Sequence, residues 1–554
     1  MKKILKNTLV TVFSLAVFFG CEKNFDPKIY GVLTDQNFPM TEADCESFAM
    51  TCYIPYVNTF SYSLYATQGN QHPWYIPAGG VLKMFDTTSD LVAPWINAPW
   101  HKDYRLLSQA DFSNCPYYVR EPMQDVMPNN YPKTREITRF TSVIHTLETV
   151  SSSILSDKRR AELLGEARTC RGLHMYNLLH VYGPVPVIVN TSDLTNSAAL
   201  NNPVRPTLEQ MAKWIYDDLS YGAKNAPETQ SVKGRFTRDF ARVMLMRHCL
   251  NEGYHQEGWY QVALDMYEEL NTGKYRLFTT GNNPYKEMFR EVNDFNCEII
   301  GAISCDPSST GNPKEGGMNP FAMLAMPNTA AKKDDKGDPT PFAVCGPGWG
   351  MTFNLSPAFY NTFEPGDRRA ECIITRYYTT GGEWWGPEQI GRKPEWDGYI
   401  PYKYPAETAT APCWGNDFPL ARWADVLLMF AEAEVRNSGA APSAEAIAAV
   451  NEVRDRAGLS DLSDTKTSSA EAFLNAILDE RGHELWFEGM RKIDLIRFNQ
   501  YAQRVVNIKG CLPTHQYMPI PNYAVDEAAA IGKTLEQVFS REGWIEDQNK
   551  AIGE

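Results

Sequence analysis

Apolar or small residues return every three to four positions over several long stretches, and these stretches arrive in consecutive pairs, which restricts the chain to a helical architecture. Residues 158–183 carry Leu163, Ala167 and Cys170, then Leu173, Tyr176 and Leu179, and stop at Gly183-Pro184. "PTLEQMAKWIYDDLSYGAK" places Met211, Ile215 and Leu219 on one face, and the following "TRDFARVMLMRHCLNEG" does the same with Phe240, Val243 and Met246. "ARWADVLLMFAEAEVRNSG" aligns Trp423, Val426, Leu427 and Phe430 and ends near Gly439. "PSAEAIAAVNEVRDRAGL" then aligns Ile447, Val450, Val453 and Ala457, so a short Gly/Pro turn joins two antiparallel helices. The pairs recur at irregular spacing, as solenoid-like hairpins interrupted by long insertions rather than a regular array.

The insertions, chiefly residues 53–104, 304–350 and 380–418, are rich in Pro, Gly and aromatic residues. Eleven aromatics fall in residues 53–104 and seven in 384–414, and these windows hold seven of the 13 tryptophans, so the insertions need either packing of their own or a task. With 43% apolar and 12% aromatic residues in 554, most of the chain folds around a large core. A net charge of −14 argues against nucleic acid or an anionic membrane surface as the main partner, since clustered Lys and Arg are absent.

At the N-terminus, Lys2, Lys3 and Lys6 precede an uncharged run from Asn7 to Gly20, followed at once by Cys21. The run is short for a bilayer span, which needs roughly 20 apolar residues. It reads as an export signal over residues 1–20 with Cys21 as the lipidated first residue of the mature chain. The other eleven cysteines include no C-x-x-C pair. A bridge such as Cys45 with Cys52 is permitted after export, but buried free thiols are the expected state.

The densest concentration of charge is "ERGHELWFEGMRKIDLIRF", residues 480–498. "SSAE" at 468–471 is a capping box, and the helix it opens is expected to run to about Phe487 before Gly489. Glu480, Glu484 and Glu488 then share one face, with Cβ atoms about 6 Å apart. That is near the roughly 5–5.5 Å between the carboxyl groups of retaining glycosidases, but those groups flank a sugar from opposite sides, which neighbours on one helix face cannot do. A zinc-binding H-E-x-x-H face fails as well, because position 487 is phenylalanine. The reading that remains is structural: Arg481, Arg491 and Arg497 pair with acids and helix-end carbonyls while Leu485, Trp486 and Ile493 pack. There is no G-x-S-x-G elbow, Walker loop or dinucleotide fingerprint, and no cofactor or metal ligand set is indicated; Asp334-Asp335 reads as solvated charge.

"EARTCRGLHMYNLLHVYGPVPVIV", "RFTRDFARVMLMRHCLNEG", "ARWADVLLMFAEAEVRNSG", "VNEVRDRAGL", "ERGHELWFEGMRKIDLIRF" and "MPIPNYAVD" resemble, in order, the landmark segments of the SusD/RagB family of outer-membrane lipoproteins. Gly482, His483 and Met490 depart from residues that are often more basic or bulky there. The resemblance spans nearly the whole chain. It implies a mostly α fold in which tetratricopeptide-like helix pairs form one side and a large loop-rich region with short strands forms the other. It also implies a single domain over residues 21–554, with an N-terminal part to about 300 and a C-terminal part from about 301. The family's role implies a non-enzymatic lid, lipid-anchored at the cell surface, that captures oligo- or polysaccharide for a SusC-like TonB-dependent barrel. A peptide-capturing RagB-like role is the alternative within the family, and a secreted glycoside hydrolase the alternative outside it.

Sugar C–H faces stack on Trp and Tyr while hydroxyls need amides, acids or Arg, so the expected site is an exposed aromatic platform with a polar rim. Two regions qualify. Residues 70–104 offer Trp74, Tyr75, Trp95, Asn97 and Trp100, joined by Trp349 from the insertion after the middle helices. "EWWGPEQIGRKPEWDGY" offers Trp384, Trp385 and Trp396, with Trp-Trp-Gly-Pro expected at a loop tip. Each tryptophan can equally serve to pack its insertion.

Overall fold

The computed structural model describes residues 38–56, 74–75, 80–95, 102–115, 130–306, 319, 321, 325–344, 353–407 and 415–553. Its scaffold is a succession of helices, each laid on the next: α1 (Thr134–Thr149), α2 (Asp157–Tyr182), α3 (Leu208–Asn225), α4 (Arg238–Glu252) and α5 (Trp259–Leu270). After the long insertion, α6 (Trp423–Ser438) returns to pack on α5, and α7 (Ala444–Arg456) and α8 (Ala470–Glu484) pack on α6. Three shorter helices close the C-terminal end: α9 (Arg491–Arg497), α10 (Tyr501–Lys509) and α11 (Trp544–Ile552), with α11 against α10.

Local chemistry sets these boundaries. Ser156, Thr207, Thr237 and Ser443 each accept a hydrogen bond from the backbone N–H three residues on, which satisfies a donor that the first helical turn leaves unpaired. Gly439 ends α6 in the left-handed region at φ 66°. Where α2 crosses α3, two glycines permit contact of the backbones: a Cβ on Gly165 would lie 2.4 Å from Ala226 N, and one on Gly222 2.1 Å from Thr169 Oγ1. From Leu163 to Tyr182 nearly all of α2 is buried, so it is the central element and not a surface helix.

Two expectations shift. The cap of α8 is Ser469, which accepts from Ala472 N, one residue later than the SSAE box places it. Position N3 is therefore Ala472 and Glu471 cannot complete the reciprocal bond. The helix also ends at Glu484 rather than near Phe487, because the chain leaves the helical region at Leu485 and Phe487 takes φ +54°. Among the described residues the cysteines are free, so the permitted Cys45–Cys52 bridge is not formed; both thiols are buried.

The strands are short. β1 (Ile299–Ile303) pairs antiparallel with β6 (Phe418–Arg422), which runs directly into α6. β2 (Ile373–Ile374) pairs with β5 (Ile400–Pro401), and β3 (Tyr377–Tyr378) with β4 (Trp384–Trp385). No helix among the described residues is long and apolar enough to cross a membrane.

Candidate ligand site

The charged stretch at 480–498 is buried and consumed by ion pairs. Arg422 Nη1 bonds Glu298 at 2.8 Å and Glu484 at 2.5 Å, and its Nη2 reaches Glu488 at 2.8 Å. Arg369 joins Glu480 at 2.5 Å, Glu484 at 3.1 Å and Asp367 at 2.7 Å; Arg456 bonds both Glu298 and Glu484. Arg481 pairs with Asp425 and Asp494, Arg491 with Asp90, and Arg497 with Glu432, while Arg491 Nη1 donates to the carbonyl of Leu478. Burial alone would raise the pKa of Glu484, but Arg456, Arg422 and Arg369 outweigh it and hold the carboxyl well below the usual range. Lys403, inside the same cluster, is lowered to about 8 by burial against the pull of Glu488. His483 is held neutral by burial and by Arg369 and Arg491, with Nε2 2.8 Å from Thr362 Oγ1. Acids committed in this way clamp the junction of α8 and α9 onto the β1–β6 ribbon and are closed to substrate.

The early tryptophans also turn inward, against the expected platform. Trp74 is fully buried: its Nε1–H donates to His174 Nδ1 at 2.9 Å, and the Lys133 ammonium lies 4.5 Å from its ring centroid. His174 therefore carries its proton on Nε2, 2.9 Å from the Lys133 carbonyl, and burial pulls its pKa down to about 3. Tyr75 packs on Phe418, and Trp95, its backbone N–H held by Ser108 Oγ at 2.9 Å, lies near Lys83. These three rings are 0%, 6% and 4% exposed and offer no open stacking face. The physical reason is that Trp74 fills space beside α2, Tyr75 beside Phe418 and Trp95 beside Lys83 and Ser108, where large rings are needed for close packing. Asn97, Trp100, Trp349 and Cys21 lie outside the described residues.

The second region differs. Trp384 and Trp385 form the second strand of a two-residue-per-strand hairpin rather than its tip, which is Thr379–Glu383. Gly382, at φ +81°, makes the turn possible, and Thr379 closes it by donating its N–H to Glu383 O at 2.9 Å and its Oγ1–H to the same carbonyl at 3.0 Å. Alternation then sorts the rings. Tyr377 and Trp385 face inward against each other, and Tyr377 also packs on Trp396, which is fully buried with its Nε1–H on Gly386 O at 2.8 Å. Trp396 is thus a core residue, not part of a platform.

Arg376, Tyr378 and Trp384 share the outer side. Trp384 is 37% exposed, with Tyr378 at 5.4 Å and the Arg376 guanidinium 4.6 Å from its ring centroid. A neighbouring segment supplies the rim. Ala331 N–H donates to Tyr378 O at 2.9 Å, and a turn in which Asp334 Oδ1 accepts from the N–H groups of Lys336 and Asp338 brings Asp335 to the indole N–H at 3.0 Å. Asp334 is thereby a turn former. Glu383 bridges Lys393 at 2.8 Å and Trp385 Nε1 at 3.1 Å. Among the described residues the outer face of the hairpin brings together Arg376, Tyr378, Trp384 and Asp335, while Glu383 and Lys393 sit at Trp385. Arg376 and Tyr378 escape a search for tryptophan-rich loops, although the period-two pattern around Thr-Thr-Gly-Gly marks them.

The described residues thus form a mostly α protein whose helical scaffold carries an exposed indole on a rigid hairpin and whose densest acid cluster is closed in ion pairs. Residues 355–531 match the SusD family, and residues 100–250 match a family described as starch-binding, associating with the outer membrane. A SusD-like protein of Bacteroides ovatus is 30% identical over 181 residues, 31% of each chain. SusD-like protein P25 of Formosa agariphila is 21% identical over 93% of this chain and 96% of its own. Among solved structures, a laminarin binding SusD-like protein superposes with a TM-score of 0.66 at 19% identity, covering 90% of this chain and 100% of that one. Surface glycan-binding protein A from Bacteroides thetaiotaomicron, in complex with laminarihexaose, gives a TM-score of 0.66 at 18% identity with the same coverage. The chain thus matches SusD-type family models over two separate segments and has the fold of the SusD-like structures.

Proposed function

We propose that this protein is a cell-surface lipoprotein, anchored in the outer membrane through Cys21, that captures oligo- or polysaccharide and delivers it to a SusC-like TonB-dependent transporter. The observation that carries the reading is the hairpin at 377–385: a rigidly held, exposed tryptophan beside Tyr378, rimmed by Arg376 and Asp335. An indole face takes the C–H side of a pyranose, and the surrounding charged groups suit its hydroxyls. Relatives whose names describe laminarin, glycan and starch binding support a sugar as the ligand over a peptide.

Binding without bond cleavage fits the fate of the acids. Glu480, Glu484 and Glu488 are locked in buried pairs. In a groove of about 360 Å³ beside α2 and α3, Glu148, Asp217 and Asp218 are each engaged by a cation, Arg168, Lys213 and Arg171. One or two stacked rings, each contributing about 1.5–3 kcal/mol if fully covered and offset by association entropy, give affinities from millimolar to micromolar. Many copies on one cell raise the avidity for long polymers.

The test is a glycan array with the chain from residue 22 onward, followed by a reducing-end assay on the polymers retained. Retention of a glycan without new reducing ends supports the proposal; new reducing ends make the protein a hydrolase. In cells, Cys21→Ser is expected to move the protein out of the outer-membrane fraction, and co-purification of a β-barrel transporter with the native chain tests the partner.

A further inference from the structure

Arg376 differs from the arginines that clamp the fold and, unlike the other exposed arginines among the described residues, it lies over an exposed indole. The guanidiniums of Arg369, Arg422, Arg456, Arg481 and Arg491 are buried and bonded to carboxylates. Arg376 is exposed, and among the described residues it makes no hydrogen bond or ion pair; its guanidinium lies over the face of Trp384. Its five N–H donors are open to solvent while its plane lies over the ring on which a sugar would stack. Of the nearby acids, Asp335 accepts the indole N–H and Glu383 is paired with Lys393, while Glu388 lies beside Gly386 close to Arg376 without bonding it.

This arrangement has opposite consequences for two kinds of glycan. A neutral sugar must displace the guanidinium from the indole and offers it only neutral hydroxyl acceptors in return. A sugar bearing a carboxylate or sulfate can draw the guanidinium into a two-pronged, charge-assisted hydrogen bond and take over the vacated ring face. We propose that the hairpin site selects acidic glycans, with Arg376 as the residue that reads the oxyanion and Trp384 as the residue that reads the ring. The proposal rests on the hairpin being the glycan site. The whole chain carries −14, so attraction for an acidic polymer has to come from such a local free cation. In roughly 0.15 M salt, where charges beyond about 8 Å are screened, the local contact dominates.

The experiment compares wild type, Arg376→Gln and Trp384→Ala by affinity electrophoresis on matched polymer pairs at physiological salt. One pair is a polyuronate and its methyl ester; the other is a sulfated galactan and its desulfated form. Wild type is expected to bind at least one acidic member about fivefold more tightly than its neutral partner, the scale of one exposed charge pair. The pair that shows the gap identifies carboxylate or sulfate. Arg376→Gln is expected to close the gap by weakening the acidic polymer toward the affinity of its neutral partner, and Trp384→Ala to lose both polymers. Equal binding of acidic and neutral members by wild type, or a gap that persists in Arg376→Gln, overturns the proposal and leaves the hairpin as a site for neutral glycans. Undiminished binding by Trp384→Ala instead removes the hairpin as the site, a failure distinguishable from the first.

Discussion

Replacing Glu484 with glutamine probes the clamp at the centre of the fold. The carboxylate of Glu484 accepts from Arg422, Arg369 and Arg456, all buried. Glutamine keeps the volume but removes one charge and turns an NH2 group toward three guanidiniums. Breaking a buried ion pair by removing one partner costs about 3–5 kcal/mol, and three cations sharing the lost acid put the expected loss at about 4 kcal/mol or more. Against a total stability of about 5–15 kcal/mol, that is a large fraction. With a urea slope of about 3 kcal/mol/M or more for a chain of this size, the midpoint of unfolding, followed by tryptophan fluorescence at pH 7, drops by about 1 M. Adding Arg456→Met to Glu484→Gln restores the charge balance and is expected to recover part of the loss. A single-variant loss below about 1 kcal/mol, or a double variant less stable than the single, would mean that Glu484 does not hold the clamp together.

The remaining predictions concern pH and packing. Burial opposes ionisation of Glu432 and Asp425, but Arg497 and Arg436 pull Glu432 from 4.5 down to about 2, and Arg247 and Arg481 hold Asp425 well below 3.8. The folded state thus binds fewer protons than the unfolded, so the stability these groups supply is complete above about pH 5 and is lost as pH falls from about 4.5 through about 2, measurable as a falling urea midpoint. Lys492 lies over the rings of Phe112 at 4.4 Å and Tyr501 at 5.1 Å, and burial lowers its pKa to about 7. Lys492→Met is therefore expected to stabilise the protein most below pH 7, with the advantage shrinking as pH rises toward 10.5, where the wild-type lysine is neutral in both states. Trp74→Phe deprives His174 Nδ1 of its donor and is expected to cost about 1–3 kcal/mol in thermal or urea unfolding while leaving glycan retention unchanged.

The helices could be read from the chain because their signals are local. Period, a Ser or Thr at the start and Gly at the stop lie within a few residues of one another, and even the cap of α8 was displaced by only one position, Ser469 for Ser468. The structural role of residues 480–498 was also readable, since one helix face cannot flank a sugar and charges of both signs at that density call for pairing. The identity of their partners was not: Arg369 and Arg422 approach Glu484 from 115 and 62 residues away, and nothing local encodes that distance. Aromatic enrichment likewise carries no information about which way a ring turns. Trp74 meets His174 across 100 residues and is lost to the core, while Trp384 emerges because strand alternation sends Tyr377 and Trp385 inward and leaves Arg376, Tyr378 and Trp384 outside.

On the function proposed, the helical array holds a hairpin whose exposed indole grips a glycan. Isothermal titration of the wild type and of Trp384→Ala with a glycan retained on the array tests it most directly, with urea midpoints measured alongside. The expected result is micromolar to millimolar binding by the wild type and at least a tenfold loss in the variant with the midpoint unchanged. Equal affinity in the two proteins would contradict the claim.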